Sequence, residues 1–205
     1  MISVRKLSKY FDSFCVFENL NFDINQGEIF CVFGRNGSGK TTLLKILAGI
    51  VEPTSGKVEI IGDNNKDNPK KKILFVGHEP NLYKYLSVKE NLDFWAKLWG
   101  KKISEDDIKK ALEFFGIENF FNYKIFELSQ GTKRKVSFSK FLLIDPQIFI
   151  VDEPFSNIDD KGREKIKEMF LKSKSEGKVV IFSSSEKDTY LKPDRSIILA
   201  QTQGV

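Results

Sequence analysis

The sequence predicts an α/β fold: one compact unit with a β-rich start, apolar strands alternating with helices, and a helical insertion in mid-chain. Three observations carry this. The apolar run Ile29, Phe30, Cys31, Val32 and Phe33 leads into a glycine-rich segment, which is followed by the apolar helix positions Leu43, Leu44, Ile46 and Leu47. Short β-branched and aromatic runs recur at residues 57–61, 73–76, 148–151, 179–182 and 196–199. Residues from about 80 to 142 carry helical patterns without strands.

At the N-terminal end, Ile2, Val4 and Leu7 come first, then Cys15, Val16 and Phe17, then Leu20, Phe22 and Ile24 in alternation, the signature of half-buried strands. A turn at Gln26, Gly27 and Glu28 leads into the strand from Ile29. After the first helix, Pro53, Thr54, Ser55 and Gly56 make a turn into a strand that runs from Lys57 to Ile61 and stops at Gly62. The polar, lysine-rich residues 63–72 read as a solvated loop holding no site.

In the insertion, Ser87 and Glu90 form a capping box that opens a helix with Leu92, Trp95, Leu98 and Trp99 as its apolar stripe. Ser104 caps a second helix, with Ile108, Ala111, Leu112 and Phe115 on one face and Gly116 as its stop. Phe114, Phe115, Phe120 and Phe121 are expected to serve the core for the most part, with docking of a partner as the alternative use. Further on, residues 164–174 are helical and Gly177 follows them.

Composition sets bounds. The 205 residues are 40% hydrophobic and 30% charged, an ordinary globular balance with one substantial core. A net charge of +5 suits a nucleotide binder or a face near anionic lipid and does not call for nucleic acid. Cys15 and Cys31 both fall in apolar runs and are expected to be buried free thiols in a reducing compartment. Arg5, Lys6 and Lys9 interrupt any signal peptide, and no run approaches the roughly 18 apolar residues of a membrane span.

Gly34, Arg35, Asn36, Gly37, Ser38, Gly39, Lys40, Thr41 and Thr42 spell G-x-x-x-x-G-K-T, the phosphate-binding P-loop, between a strand and a helix. Glycines let the backbone aim several N–H groups at one anion, and the helix N-terminus adds positive potential. Lys40 is placed to reach the β- and γ-phosphates, and the Thr41 hydroxyl to ligate Mg²⁺. The strand at residues 148–151 ends in Asp152 and Glu153, a Walker B pair. Asp152 would hold Mg²⁺ directly or through water, and Glu153 is the candidate general base for an attacking water.

A second helix N-terminus stands at Leu128, Ser129, Gln130, Gly131 and Thr132, with Ser129 as N-cap and open N–H groups at Gly131. One nucleotide already has its P-loop, so this second anion-binding turn makes sense if it closes on a nucleotide held by another copy. The loop from Ser156 to Asp159 follows Walker B closely, and Asp159 could work across the same junction.

Over nearly its whole length this order of motifs resembles the nucleotide-binding subunit of ABC transporters. The resemblance implies a P-loop NTPase core of the ABC ATPase type with an antiparallel β subdomain and an inserted helical subdomain at about 80–142, all in one domain over residues 1–205. It also implies a head-to-tail dimer sandwiching two ATP molecules with Mg²⁺, each between one subunit's P-loop and the other's signature. Phe11 falls where an aromatic stacks on adenine, with Tyr10 as the neighbouring candidate; Ser129 and Gly131 match the signature, and Asp159 the D-loop.

Departures gather at the γ-phosphate end. His78, the only histidine, stands where a glutamine near Mg²⁺ and the γ-phosphate is usual, so it is a candidate for both metal and catalytic roles. Gln130 and Thr132 replace a glycine and a glutamine of the signature. Ser185 falls at the position of a γ-phosphate-sensing histidine; its hydroxyl is shorter and cannot become cationic, so ATP binding should survive while the rate of hydrolysis is affected.

Among family branches, residues 76–83 and 86–94 are similar to the ATPase subunit of the haem exporter of cytochrome c maturation, a short single-domain protein with a histidine at this place. Short ATPases of drug and polysaccharide exporters share much of the pattern. The resemblance implies transmembrane permease partners, a second ATPase subunit (a homodimer as the default), no nucleic acid, and a cytoplasmic protein held peripherally on the inner face of the membrane.

Overall fold

The computed structural model describes residues 1–60, 72–185 and 190–200. The predicted loop at 63–72, except Lys72, lies outside the described residues, together with Ile61, Gly62 and Glu186. The chain divides into two compact units: residues 1–75, 147–153 and 170–205 form one, and residues 76–146 and 154–169 the other.

The first unit opens with β1 (Ile2–Phe11) and β2 (Phe14–Ile24), which pair antiparallel with Ile2 opposite Ile24 and Val4 opposite Phe22. Next come β3 (Ile29–Phe33), α1 (Lys40–Leu47) and β4 (Ser55–Ile60), whose Val58 pairs with Val4 on the other side of β1. The resulting antiparallel sheet has the order β2-β1-β4. A second sheet uses β3 with β5 (Ile73–Val76), β6 (Ile148–Val151), β7 (Val179–Ser184) and β8 (Arg195–Ile198), in the order β5-β6-β7-β3-β8. Strands β6, β7, β3 and β8 run parallel, and β3, β6 and most of β7 are apolar and buried as strands covered on both faces must be.

Leu43, Leu44, Ile46 and Leu47 of α1 join Phe30, Val32, Ile150 and Ile181 in the core of this unit. Each such side chain contributes roughly 1.5–3 kcal/mol by leaving water. At the sheet edge, the buried carboxylate of Glu28 receives Arg195 Nε and Nη2 at 2.6 and 2.9 Å, and Asp194 accepts from the Ile29 N–H at 2.9 Å. These bonds fix where β8 starts against β3. Cys31 is buried and free, and burial pushes its thiol pKa up, so it is inert; Cys15, expected to be buried, is only half-covered.

In the second unit, α2 (Val88–Leu98) and α3 (Glu105–Phe114) each start at the expected serine, with Ser87/Glu90 and Ser104/Asp107 forming reciprocal capping boxes. The buried face of α2 is Val88, Asn91, Leu92 and Ala96; of the stripe read from the sequence Leu92 is buried, Trp95 and Trp99 are half-buried, and Leu98 is exposed. Asn91 displaces an apolar residue on that face because its amide bonds the carbonyls of Tyr83, Leu86 and Ser87 and accepts from the Tyr83 N–H. Phe115 and Phe121 are buried, and Phe114 and Phe120 partly so. The third long helix, α4 (Gln130–Ile144), packs against α2 and α3. Helix α5 (Asp160–Ser175), longer at both ends than its sequence pattern, begins in this unit and ends in the first.

Candidate active site

The P-loop connects the C-terminal end of β3 to α1. Gly39, the residue before the helix, takes φ +91°, and a Cβ there would lie 2.4 Å from Val16 Cγ1, so only glycine fits. Arg35, Asn36 and Gly37 face solvent, while Ser38 and Lys40 point inward and are buried. Lys40 Nζ donates to the carbonyls of Gly34 and Arg35 at 2.9 and 3.2 Å and stands 3.6 Å from the Glu153 carboxylate. Thr41 is exposed at the start of α1, and Thr42 is half-buried beside it.

The sheet order explains how residues 111 positions apart meet: β7 separates β3 from β6, and the loops leaving β3 and β6 open at the same end of the sheet. Asp152, buried at the end of β6, accepts from Thr41 Oγ1 at 2.6 Å through Oδ2. Its Oδ1 accepts from the hydroxyl of Ser183 on β7. Glu153 has left-handed backbone, φ +46°, and its N–H donates to the same Ser183 oxygen at 2.9 Å. Ser183 was not among the residues singled out in the sequence. The signal that could have found it is a polar residue in a buried strand, one step past the Phe182 that pairs with Val151.

Ser185 is exposed and lines a cavity of about 430 Å³ with Gly34 and Arg35, so the first unit brings it to the P-loop. Phe11, at the end of β1, is half exposed, with Lys9 Nζ 4.7 Å above its ring. The neighbouring Tyr10 hydroxyl is engaged by Glu18, which pushes its pKa up.

The remaining candidates belong to the second unit. Ser129 caps α4: its Oγ accepts from the Thr132 N–H at 3.1 Å and shares a hydrogen bond with the Thr132 hydroxyl at 2.9 Å. Thr132 thus engages Ser129 through both its N–H and its hydroxyl. At Gly131 a Cβ would come within 3.3 Å of the Asn157 carbonyl, which keeps that position small. Asp159 is paired with Lys135 at 2.8 Å, and the Lys135 ammonium holds its carboxyl below the usual range. His78 is exposed and shares a cavity of about 310 Å³ with Gln130, Arg134 and Asn157. Its segment is held from α4, where Arg134 Nη1 donates to the carbonyls of Gly77 and His78, and Ser137 and Lys140 donate to that of Pro80.

The P-loop residues fit a Mg²⁺-nucleotide. Ser38 Oγ is buried without a hydrogen-bond partner, an open polar group inside the loop. The hydroxyl of Thr41 and the carboxylate of Asp152 are hard oxygen donors lying side by side. Mg²⁺ takes few protein ligands and relies on phosphates and water for the rest.

The chain is similar to known proteins over most of its length. A family model described as ABC transporter matches residues 17–156. An uncharacterized ABC transporter ATP-binding protein of Methanocaldococcus jannaschii is 35% identical over 100% of this chain and 76% of its own. The taurine import ATP-binding protein TauB of Jannaschia sp. is 32% identical over 99% of this chain and 79% of its own. The cytochrome c biogenesis ATP-binding export protein CcmA of Vibrio cholerae is 31% identical over 91% of both. Among solved structures, the dimeric structure of MJ0796, a bacterial ABC transporter cassette, is similar with a TM-score of 0.85 at 27% identity, covering 97% of this chain and 94% of that one.

Proposed function

The chain belongs to the ABC transporter ATP-binding proteins, ATPases that bind ATP with Mg²⁺, and on that premise we propose that it powers a membrane transporter by closing, with ATP, on a second ATPase subunit. The observation that carries the reading is the cluster of Lys40, Thr41, Asp152 and Glu153 in one unit, with the signature turn of Ser129 and Gly131 in the other. Each turn supplies a helix N-terminus, and the second is free to serve a nucleotide held by another copy. The dimeric cassette among the similar solved structures supports that arrangement.

The division of labour follows from the side chains. Lys40 neutralises charge on the β- and γ-phosphates. Thr41 and Asp152 hold Mg²⁺, which supplies charge neutralisation to phosphate oxygens when bound. Glu153 orients the attacking water and accepts its proton on a carboxylate oxygen. Phe11 offers a half-exposed aromatic ring for adenine, and the partner's copy of the signature serine faces the γ-phosphate. His78 acts at the γ-phosphate end as metal neighbour, and Asp159 at the subunit junction. The test is Glu153→Gln, which should retain ATP binding while phosphate release falls by about 10²–10⁴-fold. Hydrolysis at the unmutated rate would remove Glu153 from this role.

Ser185 favours a second reading, of a different class: an ATP-gated interaction subunit with little or no turnover of its own. Phosphate release with and without membrane subunits separates the two.

The membrane partner docks on the helical unit. Tyr83 and Phe126, each about half exposed, and Trp95 line a cavity of about 670 Å³ together with Lys84 and Lys133, a surface with apolar and basic character suited to an intracellular loop of a permease. That docking would hold the chain peripherally on the inner face of the membrane. The cytochrome c biogenesis export protein among the relatives, matched over 91% of both chains, supports the reading of export for cytochrome c assembly, with haem as the proposed cargo. The taurine importer at 32% identity supports the competing reading, an importer. Affinity purification from detergent-solubilised membranes, with identification of the permease retained, decides between them.

A further inference from the structure

The strand between the two nucleotide loops does more than separate them. At the end of β7 the carbonyl of Ser184 accepts from the N–H of Gly34, the first residue of the P-loop, at 3.3 Å. One residue earlier, the Ser183 side chain turns to the other neighbour. Ser183 is 1% exposed and follows Val179, Val180, Ile181 and Phe182 in β7. A buried hydroxyl is costly unless satisfied, and this one is used in both directions. It donates its single proton to Asp152 Oδ1 and accepts from the Glu153 N–H at 2.9 Å.

Both partners need that help. Asp152 presents Oδ2 to Thr41 at 2.6 Å while its Oδ1 is held on Ser183. Glu153 holds φ +46°, a left-handed conformation costing a non-glycine residue on the order of 1–2 kcal/mol unless its surroundings fix it. A hydrogen bond on its own N–H is such a fixture. We propose that Ser183 is a positioning residue for ATP hydrolysis, one oxygen that sets the metal-holding carboxylate and the water-activating glutamate at the same time. The proposal rests on the reading that Thr41 and Asp152 hold Mg²⁺.

Partners that orient a metal-holding group matter by about 10- to 100-fold in metal affinity or activity. The test is Ser183→Ala, which removes the oxygen and little else. Binding of a ribose-labelled fluorescent ATP is titrated with Mg²⁺ and repeated in EDTA, alongside Asp152→Asn. The expected result is a rise of about tenfold or more in half-saturating Mg²⁺, EDTA affinity within about twofold of the unmutated protein, and kcat lowered more than KM is raised. A purely structural serine would lower the melting temperature and leave the Mg²⁺ curve in place. Superimposable Mg²⁺ curves for Ser183→Ala and unmutated protein, with Asp152→Asn displaced, overturn the role of Ser183 alone. An undisplaced Asp152→Asn curve overturns the metal assignment beneath it. Ser183→Cys keeps the volume and lacks the strong hydroxyl, so it must displace the curve in the same direction; it decides the matter if the alanine variant folds poorly.

Discussion

The Thr41 hydroxyl donates a 2.6 Å hydrogen bond to Oδ2 of Asp152, across 111 residues of chain. That bond joins the P-loop helix to the Walker B strand, so the two oxygen donors proposed for Mg²⁺ lie side by side. Removing one donor should therefore cost metal affinity rather than folding. Thr41→Ala is expected to raise half-saturating Mg²⁺ in ATP hydrolysis by about 10- to 100-fold while the melting temperature shifts by only a few degrees. Mg²⁺-activation curves and thermal melts on the same samples check both parts.

Gly39 makes the loop possible by geometry alone. Its φ of +91° excludes L side chains, and the nearest atom to a Cβ would be Val16 Cγ1 at 2.4 Å. Gly39→Ala should therefore destabilise the protein by about 1–3 kcal/mol, or roughly 2–4 °C in melting temperature for each kcal/mol. It should also weaken nucleotide binding by at least about tenfold, because the loop N–H groups shift together. A variant that melts and binds like the parent would contradict this account of the loop.

Lys140 makes stability depend on pH. Its ammonium group is buried, donates to the Pro80 carbonyl at 3.2 Å and stands 4.5 Å from the Trp95 ring centroid. Burial, with Arg134 as the neighbouring positive charge, pushes its pKa from the ordinary 10.5 down to about 7. Between those values the unfolded chain binds a proton that the folded chain does not, so stability rises with pH across that window and is lost as pH falls through about 7. The stability difference between parent and Lys140→Met should move in the parent's favour from pH 7 upward, by at most about 1.4 kcal/mol per pH unit. Denaturant titrations at several pH values measure it, and a flat difference would refute it.

Ser185 lines the cavity beside Gly34 and Arg35 with a group that cannot carry positive charge. Restoring an imidazole by Ser185→His is expected to raise kcat on the order of tenfold or more with little change in ATP affinity. Steady-state phosphate release reads this directly, and an unchanged rate would show that this position does not limit turnover.

Much of this site was legible because its motifs are local. The spacing from Gly34 to Thr41, the acidic pair after an apolar strand, and the serine caps at Ser87, Ser104 and Ser129 are each fixed by short-range geometry that sequence records. What was not legible depends on which strands are neighbours. Ser183 gains its role only because β7 lies between β3 and β6, an order no spacing reveals. The carbonyl grip of Arg134, Ser137 and Lys140 on residues 77–80 arises in the same way, from one face of α4 meeting a distant loop. Asn91 satisfies three carbonyls and so takes a buried place on α2 that periodicity assigns to an apolar residue, while Leu98, the last residue of that helix, is exposed.

The central claim is that ATP both fuels this subunit and holds it to a second one. Light scattering of Glu153→Gln with saturating Mg²⁺-ATP, and without nucleotide, tests that most directly. Mass is expected to double with ATP and to return to that of one chain when ATP is removed. A variant that binds ATP tightly yet keeps the mass of a single chain at every ATP concentration would contradict it.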